Sequence, residues 1–174
     1  MITITEALAE LKTLAKRVEK KREFVRSYLV RQEKLKDPLG DSTKALKAER
    51  QAIGDLEERV VLLRRAIQKA NEQTQVTVNG QTRSIAEWLI WRKEVAPEQQ
   101  RFLMVLSGVI QNARNDAQRR GFAVVPSGNE SKPEDMIINL DEKELGSQIE
   151  ALEETLGSLD GQLSLKNATV LVEV

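Results

Sequence analysis

The sequence predicts a mainly α, α+β protein: a long antiparallel coiled-coil hairpin followed by further helices and a small β-sheet. Three observations carry that expectation. Apolar residues recur in alternating steps of three and four through most of the chain, which is the period of a helix with one buried stripe. Pro38 and Gly40 break the pattern between its first two long stretches, so those stretches must fold back on each other. A period of two takes over only in short runs around Val76–Arg83, Phe122–Val125, Met136–Leu140 and Ala168–Val174.

Thr3-Ile4-Thr5-Glu6 has the spacing of a capping box, with a hydroxyl to accept from the amide three residues on and a carboxylate to reach back. Behind it a seam runs through Ile4, Leu8, Leu11, Ala15, Val18, Arg22, Val25, Leu29 and Gln32. A helix from Thr5 to Lys36 would be a rod about 48 Å long. Asp37-Pro38-Leu39-Gly40-Asp41 turns the chain. A second helix is expected from Asp41 or Ser42 to about Asn71, with Leu46, Glu49, Ile53, Leu56, Val60, Leu63, Ile67 and Ala70 as its stripe. Residues 1–73 are therefore read as a helical hairpin and residues 74–174 as an α+β head.

The head opens with a β-hairpin over residues 75–84, turned by Asn79-Gly80, because a type I′ turn needs positive φ at both central residues. Ser84-Ile85-Ala86-Glu87 is a second capping box. The helix it starts should run over residues 85–120, with Pro97 interrupting or restarting it and Phe102, Leu103, Leu106, Val109, Ile110, Ala113 and Ala117 as its apolar face. Arg119-Arg120-Gly121 suits its end, cations on the negative pole and a residue free to turn left-handed beyond it. Strands are expected at 122–125, 136–140 and 168–174, and a last helix at 142–165.

The 174 residues carry 27 Lys and Arg against 27 Asp and Glu, with no His and no Cys. Without thiols or imidazoles there is no disulfide framework, no Cys nucleophile, no His-based triad and no zinc ribbon. No apolar run approaches a membrane span and no N-terminal stretch reads as a signal peptide, so a cytoplasmic or virion location is expected. The zero net charge hides a gradient: 17 Lys/Arg to 11 Asp/Glu in residues 1–70, 7 to 5 in residues 71–121, and 3 to 11 in residues 122–174. Basic and acidic ends of this kind can attract each other within or between chains.

Several residues are candidates for interaction. Trp88 and Trp91 share a helix face and serve either as an aromatic anchor or as a core cluster. Lys20, Lys21 and Arg22 form a basic patch, which reads as a phosphate-binding arm or as coiled-coil flanks paired with Glu19, Glu23, Glu57 and Glu58. The terminal segment, with Thr169, Val170, Leu171, Val172 and Val174, must find a sheet. It would pair in cis with 136–140 or with the 76–85 hairpin, or be donated to a neighbouring subunit. Asp135, Asp141, Glu142 and Glu144 lack the calcium-loop spacing and read as helix caps. Phosphate-loop, dinucleotide and nucleophile-elbow motifs are missing. The expectation is no catalytic residue, no metal, no cofactor and no small-molecule substrate. Nucleic acid is disfavoured by the balanced charge.

Lys69-Ala70-Asn71, then Thr74, the Asn-Gly turn and Ser84-Ile85-Ala86-Glu87, give an order of parts that resembles the small helical-hairpin proteins of bacteria and tailed phages. The resemblance spans about the first 95 residues and transfers no functional residue. It implies a structural, virion-associated role. The function expected is a non-enzymatic structural protein that self-associates or docks into a larger complex, with protein partners. The alternative is a cytoplasmic adaptor presenting its hairpin.

Overall fold

The computed structural model describes residues 1–173. In chain order the elements are β1 (Ile2–Thr3), α1 (Ile4–Tyr28), α2 (Ser42–Gln73), β2 (Gln75–Val78), β3 (Gln81–Ser84), α3 (Ile85–Ile90), one π-helical turn (Trp91–Val95), α4 (Ala96–Arg120), β4 (Val124–Pro126), β5 (Met136–Ile138), α5 (Glu142–Thr169) and β6 (Leu171–Val172). The protein is mainly helical with small strand pairs. It divides into two units: unit 1 holds Met1–Thr74 and the chain from Leu163 onward, and unit 2 holds Gln75–Gln162. The C-terminal turns therefore belong with the hairpin, not with the head where the sequence reading placed them.

Unit 1 is the antiparallel pair α1 and α2. Thr3 and Glu6 form the expected capping box at the start of α1. Ile4, Ala7 and Leu14 of α1 are buried against Leu63, Ile67 and Ala70 of α2, and Val18 is buried further along the pair. The α1 seam is thus shifted from expectation: Ala7 and Leu14 point inward, while Leu8 and Ala15 face solvent. Both phases share Ile4, Leu11, Val18 and Val25. Turning Leu14 inward and seating Phe24 and Tyr28 on the same side decides between them, and those two rings pack 4.8 Å apart. Lys21 then takes the seam position in place of Arg22. Its stem lies along the interface and its Nζ reaches Glu49 at 2.7 Å.

That ion pair, with Arg59 to Glu10 at 2.9 Å, fixes the register. Lys21 opposite Glu49 brings Tyr28 level with Ser42, where α2 begins. Residues beyond Tyr28 have no helix to pack on, which is why α1 stops there instead of at Lys36 and why Val30 is 85% exposed. Asp37 holds the turn: its carboxylate accepts from the Ser42 hydroxyl at 2.5 Å, from the Ser42 amide at 2.9 Å and from the Leu39 amide at 2.9 Å.

The Ser42 hydroxyl and amide, then the Leu39 amide, draw the Asp37 carboxyl from its ordinary 3.8 down to about 2. Because the folded value is the lower one, Asp37 favours folding above pH 4, and that contribution disappears as pH falls through about 2. Thermal melts between pH 4 and pH 2 should show this loss, and Asp37→Asn should flatten it.

The C-terminal strand corrects a second expectation. β6 pairs antiparallel with β1, Ile2 opposite Val172 and Thr3 opposite Leu171, and the Ile4 amide donates to the Val170 carbonyl at 3.0 Å. It pairs with neither 136–140 nor the 75–84 hairpin. Thr169 is not in a strand at all: its hydroxyl donates to the Leu165 carbonyl and α5 continues through it, four residues past the expected end. Among the described residues the ladder is two residues long, the length of β1. Val172, 2% exposed, closes the hairpin core, while Val174 lies outside the described residues. Val172→Ala should therefore lower the stability of unit 1 by about 2 kcal/mol in urea titration.

In unit 2, β2 and β3 pair with Asn79 (φ 47°) and Gly80 (φ 77°) at the turn. Val76 and Val78 point inward, and the Thr77 and Thr82 hydroxyls meet 2.8 Å apart on the outer face. Ser84 and Glu87 form the second capping box, starting α3. Pro97 does not break the following helix. It sits in the first turn of α4, directly after the π turn, where the Ala96 amide donates to the Trp91 carbonyl. Gly121 (φ 74°) ends α4.

β4 and β5 pair parallel, Val124 opposite Met136, and Asp135 ties the ladder by accepting from the Ala123 and Lys132 amides. The expected single sheet is in fact three separate two-stranded ladders. Among the described residues no helix is long and apolar enough to cross a membrane.

Candidate docking surface

Unit 2 holds a groove of about 520 Å³, open along one side, between its hairpin and two of its helices. Its floor follows from strand alternation. The register of β2 with β3 puts Val76, Val78, Gln81 and Arg83 on one face of the hairpin. Val76 and Val78 are buried under the helices, and Gln81 and Arg83 line the groove. One wall is α4, through Gln99, Phe102 and Leu103. The other is α5, through Gln148, Ala151, Leu152 and Thr155.

The two tryptophans set the base. Trp88 is 1% exposed and its indole N–H donates to the Val76 carbonyl at 3.0 Å, so it pins α3 to the hairpin. Trp91, in the π turn, meets it edge-on with ring centres 5.5 Å apart and is half-buried at the groove. Trp88 is thus core, and Trp91 gives the groove an aromatic surface. The Arg83 guanidinium lies 4.9 Å over the Trp88 ring and donates to Gln81 Oε1 at 3.1 Å. Asn79 donates to the Thr155 hydroxyl at 2.9 Å, joining the turn to α5.

The nearest acid to Arg83, Glu87, is committed elsewhere. Its carboxylate accepts from the Ser84 amide at 2.8 Å and the Ser84 hydroxyl at 2.9 Å, and these bonds, more than the Arg83 charge, hold its pKa below the usual carboxylate range. Among the described residues no carboxylate comes within ion-pair distance of Arg83.

Beside the groove stands the apolar side of α4. Of its 25 residues only Ala96 and Ala117 are buried. Phe102, Val105 and Val109, at steps of three and four, are 62%, 55% and 60% exposed. The sequence pattern marked Phe102 and Val109 as inward-facing. The helix instead turns Leu103, Leu106, Ile110 and Ala113 toward the rest of unit 2, each half-buried. The signal that could have separated the two was the width of the stripe: with Val105 included, the apolar positions span about 160° of the helix, more than the third that one neighbour can bury.

The other candidates are placed as follows. Lys21 and Arg22 are engaged within unit 1, Lys21 with Glu49 and Arg22 with Glu57 at 2.7 Å and Glu19 at 4.0 Å. Lys20 is exposed on α1. Val170, Leu171 and Val172 lie along the β1 edge, with Thr169 at the helix end before them. Asp141 caps α5 by accepting from the Lys143 and Glu144 amides, and Glu142 meets Arg114 at 2.5 Å. The described residues hold no cluster of acids suited to a metal ion. No family model, curated protein or solved structure matches the chain.

Proposed function

We propose that this is a non-enzymatic structural protein that assembles through protein contacts, with the apolar side of α4 as its principal interface. The observation that carries the reading is the exposure of Phe102, Val105 and Val109 along two turns of one helix. Single exposed apolar residues are ordinary on a protein surface, but a contiguous patch marks an interaction site. Charge favours association of a second copy: unit 1 has 18 Lys/Arg to 13 Asp/Glu and unit 2 has 9 to 14, so unlike units of neighbouring copies attract. The narrower reading, a component of a tailed-phage virion, rests on the order of parts from Lys69 to Glu87 alone. The alternative, a cytoplasmic adaptor presenting its α1–α2 hairpin to a partner, draws on neither the α4 face nor the charge argument.

Light scattering after size exclusion, over a concentration series, tests self-association. The expected result is a mass above the 19.6 kDa of one chain that rises with concentration or settles at a defined multiple. A mass of 19.6 kDa throughout would overturn it.

A further inference from the structure

We propose that the groove of unit 2 receives an extended peptide segment of a partner protein and that Arg83 anchors a carboxylate of that segment. The inference rests on the assembly reading above and gives unit 2 a ligand chemistry of its own. Among the described residues Arg83 is the only charged one lining the groove, and no carboxylate comes within ion-pair distance of it. Stacked on Trp88 and steadied by Gln81, its guanidinium is already oriented, so little side-chain freedom is lost when an anion arrives.

Gln148, Ala151, Leu152 and Thr155 of α5 face the groove, and at 100° per residue Glu150, Glu153 and Glu154 fall on the far side of the helix. Glu144 stands on the near side, one turn before Gln148, where its carboxylate accepts from the Gln148 carboxamide at 3.4 Å.

Carboxamides on both sides, Gln81 and Asn79 from the hairpin, Gln99 from α4 and Gln148 from α5, offer donors and acceptors suited to peptide N–H and C=O groups. Trp91, Phe102 and Leu103 supply the apolar contact for a neighbouring side chain. The groove is open rather than enclosed and shares Phe102 with the exposed stripe of Val105 and Val109, which suits an extended chain better than a compact small molecule. The chain's own Leu171–Val172 is already paired with β1, so that strand is not the occupant.

The chain has two tryptophans and both line the groove, so its intrinsic fluorescence reports occupancy. The probe is an arrayed set of hexapeptides carrying Glu beside an apolar residue, each with a Gln counterpart, titrated against the whole chain. Glu peptides should shift the emission and bind about tenfold more tightly than their Gln counterparts. Arg83→Gln should abolish that preference, Arg83→Lys should keep part of it, and Arg92→Gln, whose native guanidinium pairs with Asp160 outside the groove, should leave it intact. Circular dichroism of each variant establishes that the fold is retained.

Equal binding of Glu and Gln peptides would overturn the role of Arg83. Absence of any peptide binding in a chain that still self-associates would overturn the groove proposal and leave the assembly reading standing. Loss of peptide binding together with a monomeric mass would overturn both.

Discussion

Replacing Trp88 with Ala should cost unit 2 about 3–5 kcal/mol, the range for removing a large aromatic side chain from a packed interior. Trp88 is 1% exposed, holds the Val76 carbonyl through its indole N–H, meets Trp91 edge-on and carries the Arg83 guanidinium on its ring. Truncation leaves a cavity and removes the indole bond to the Val76 carbonyl where β2, β3 and α3 meet. Urea unfolding should show the midpoint falling steeply. Trp88→Phe should recover much of the packing but not the hydrogen bond, and should lie between the two. The core of unit 1, built on Leu63, Ile67 and Val172, shares no residue with this cluster. Hydrogen exchange in α1 and α2 should therefore change far less than in α3.

The second large effect is expected on association and not on stability. Val105→Asp with Val109→Asp places two carboxylates in the middle of the exposed α4 stripe, where neither native side chain is buried within the chain. Surface substitutions of this kind usually move stability by about 0.5 kcal/mol or less. At the centre of an interface they bury charge without a partner, and a loss of 2 kcal/mol or more, about thirtyfold in affinity, is expected. The doubly substituted chain should keep its melting temperature and elute as 19.6 kDa at concentrations where the unaltered chain does not. A doubly substituted chain that melts much earlier would mean the stripe is internal packing.

The helices were legible because capping, turn chemistry and period agree. Thr3, Ser84, Asn79-Gly80 and Gly121 each satisfy a backbone requirement written in adjacent residues, and each stands where the pattern puts it. What failed depended on residues distant in sequence. The end of α1 is set by where α2 begins, through the Lys21–Glu49 register, and nothing near Tyr28 signals it. The phase of the α1 seam turns on whether Leu14 or Ala15 meets α2, a choice that period alone leaves undecided. The fate of Val170–Val172 depends on a two-residue edge at the opposite end of the chain. The groove was half legible: Trp88 and Trp91 were visible as a pair, but Arg83 enters only because strand register turns it onto the same face as Val76.

The chain has no cysteine, so a single nitroxide can be placed at will. The most direct test of the α4 interface is pulsed electron paramagnetic resonance on the self-associated chain labelled at Asn112→Cys, one helical turn beyond Val109, beside a second sample labelled at Glu33→Cys in the loop between α1 and α2. The account predicts a short, narrowly distributed distance between chains for the α4 label, lost when Val105 and Val109 are also changed to Asp. A structureless decay from the α4 label, or a defined distance from the Glu33 label alone, would contradict it.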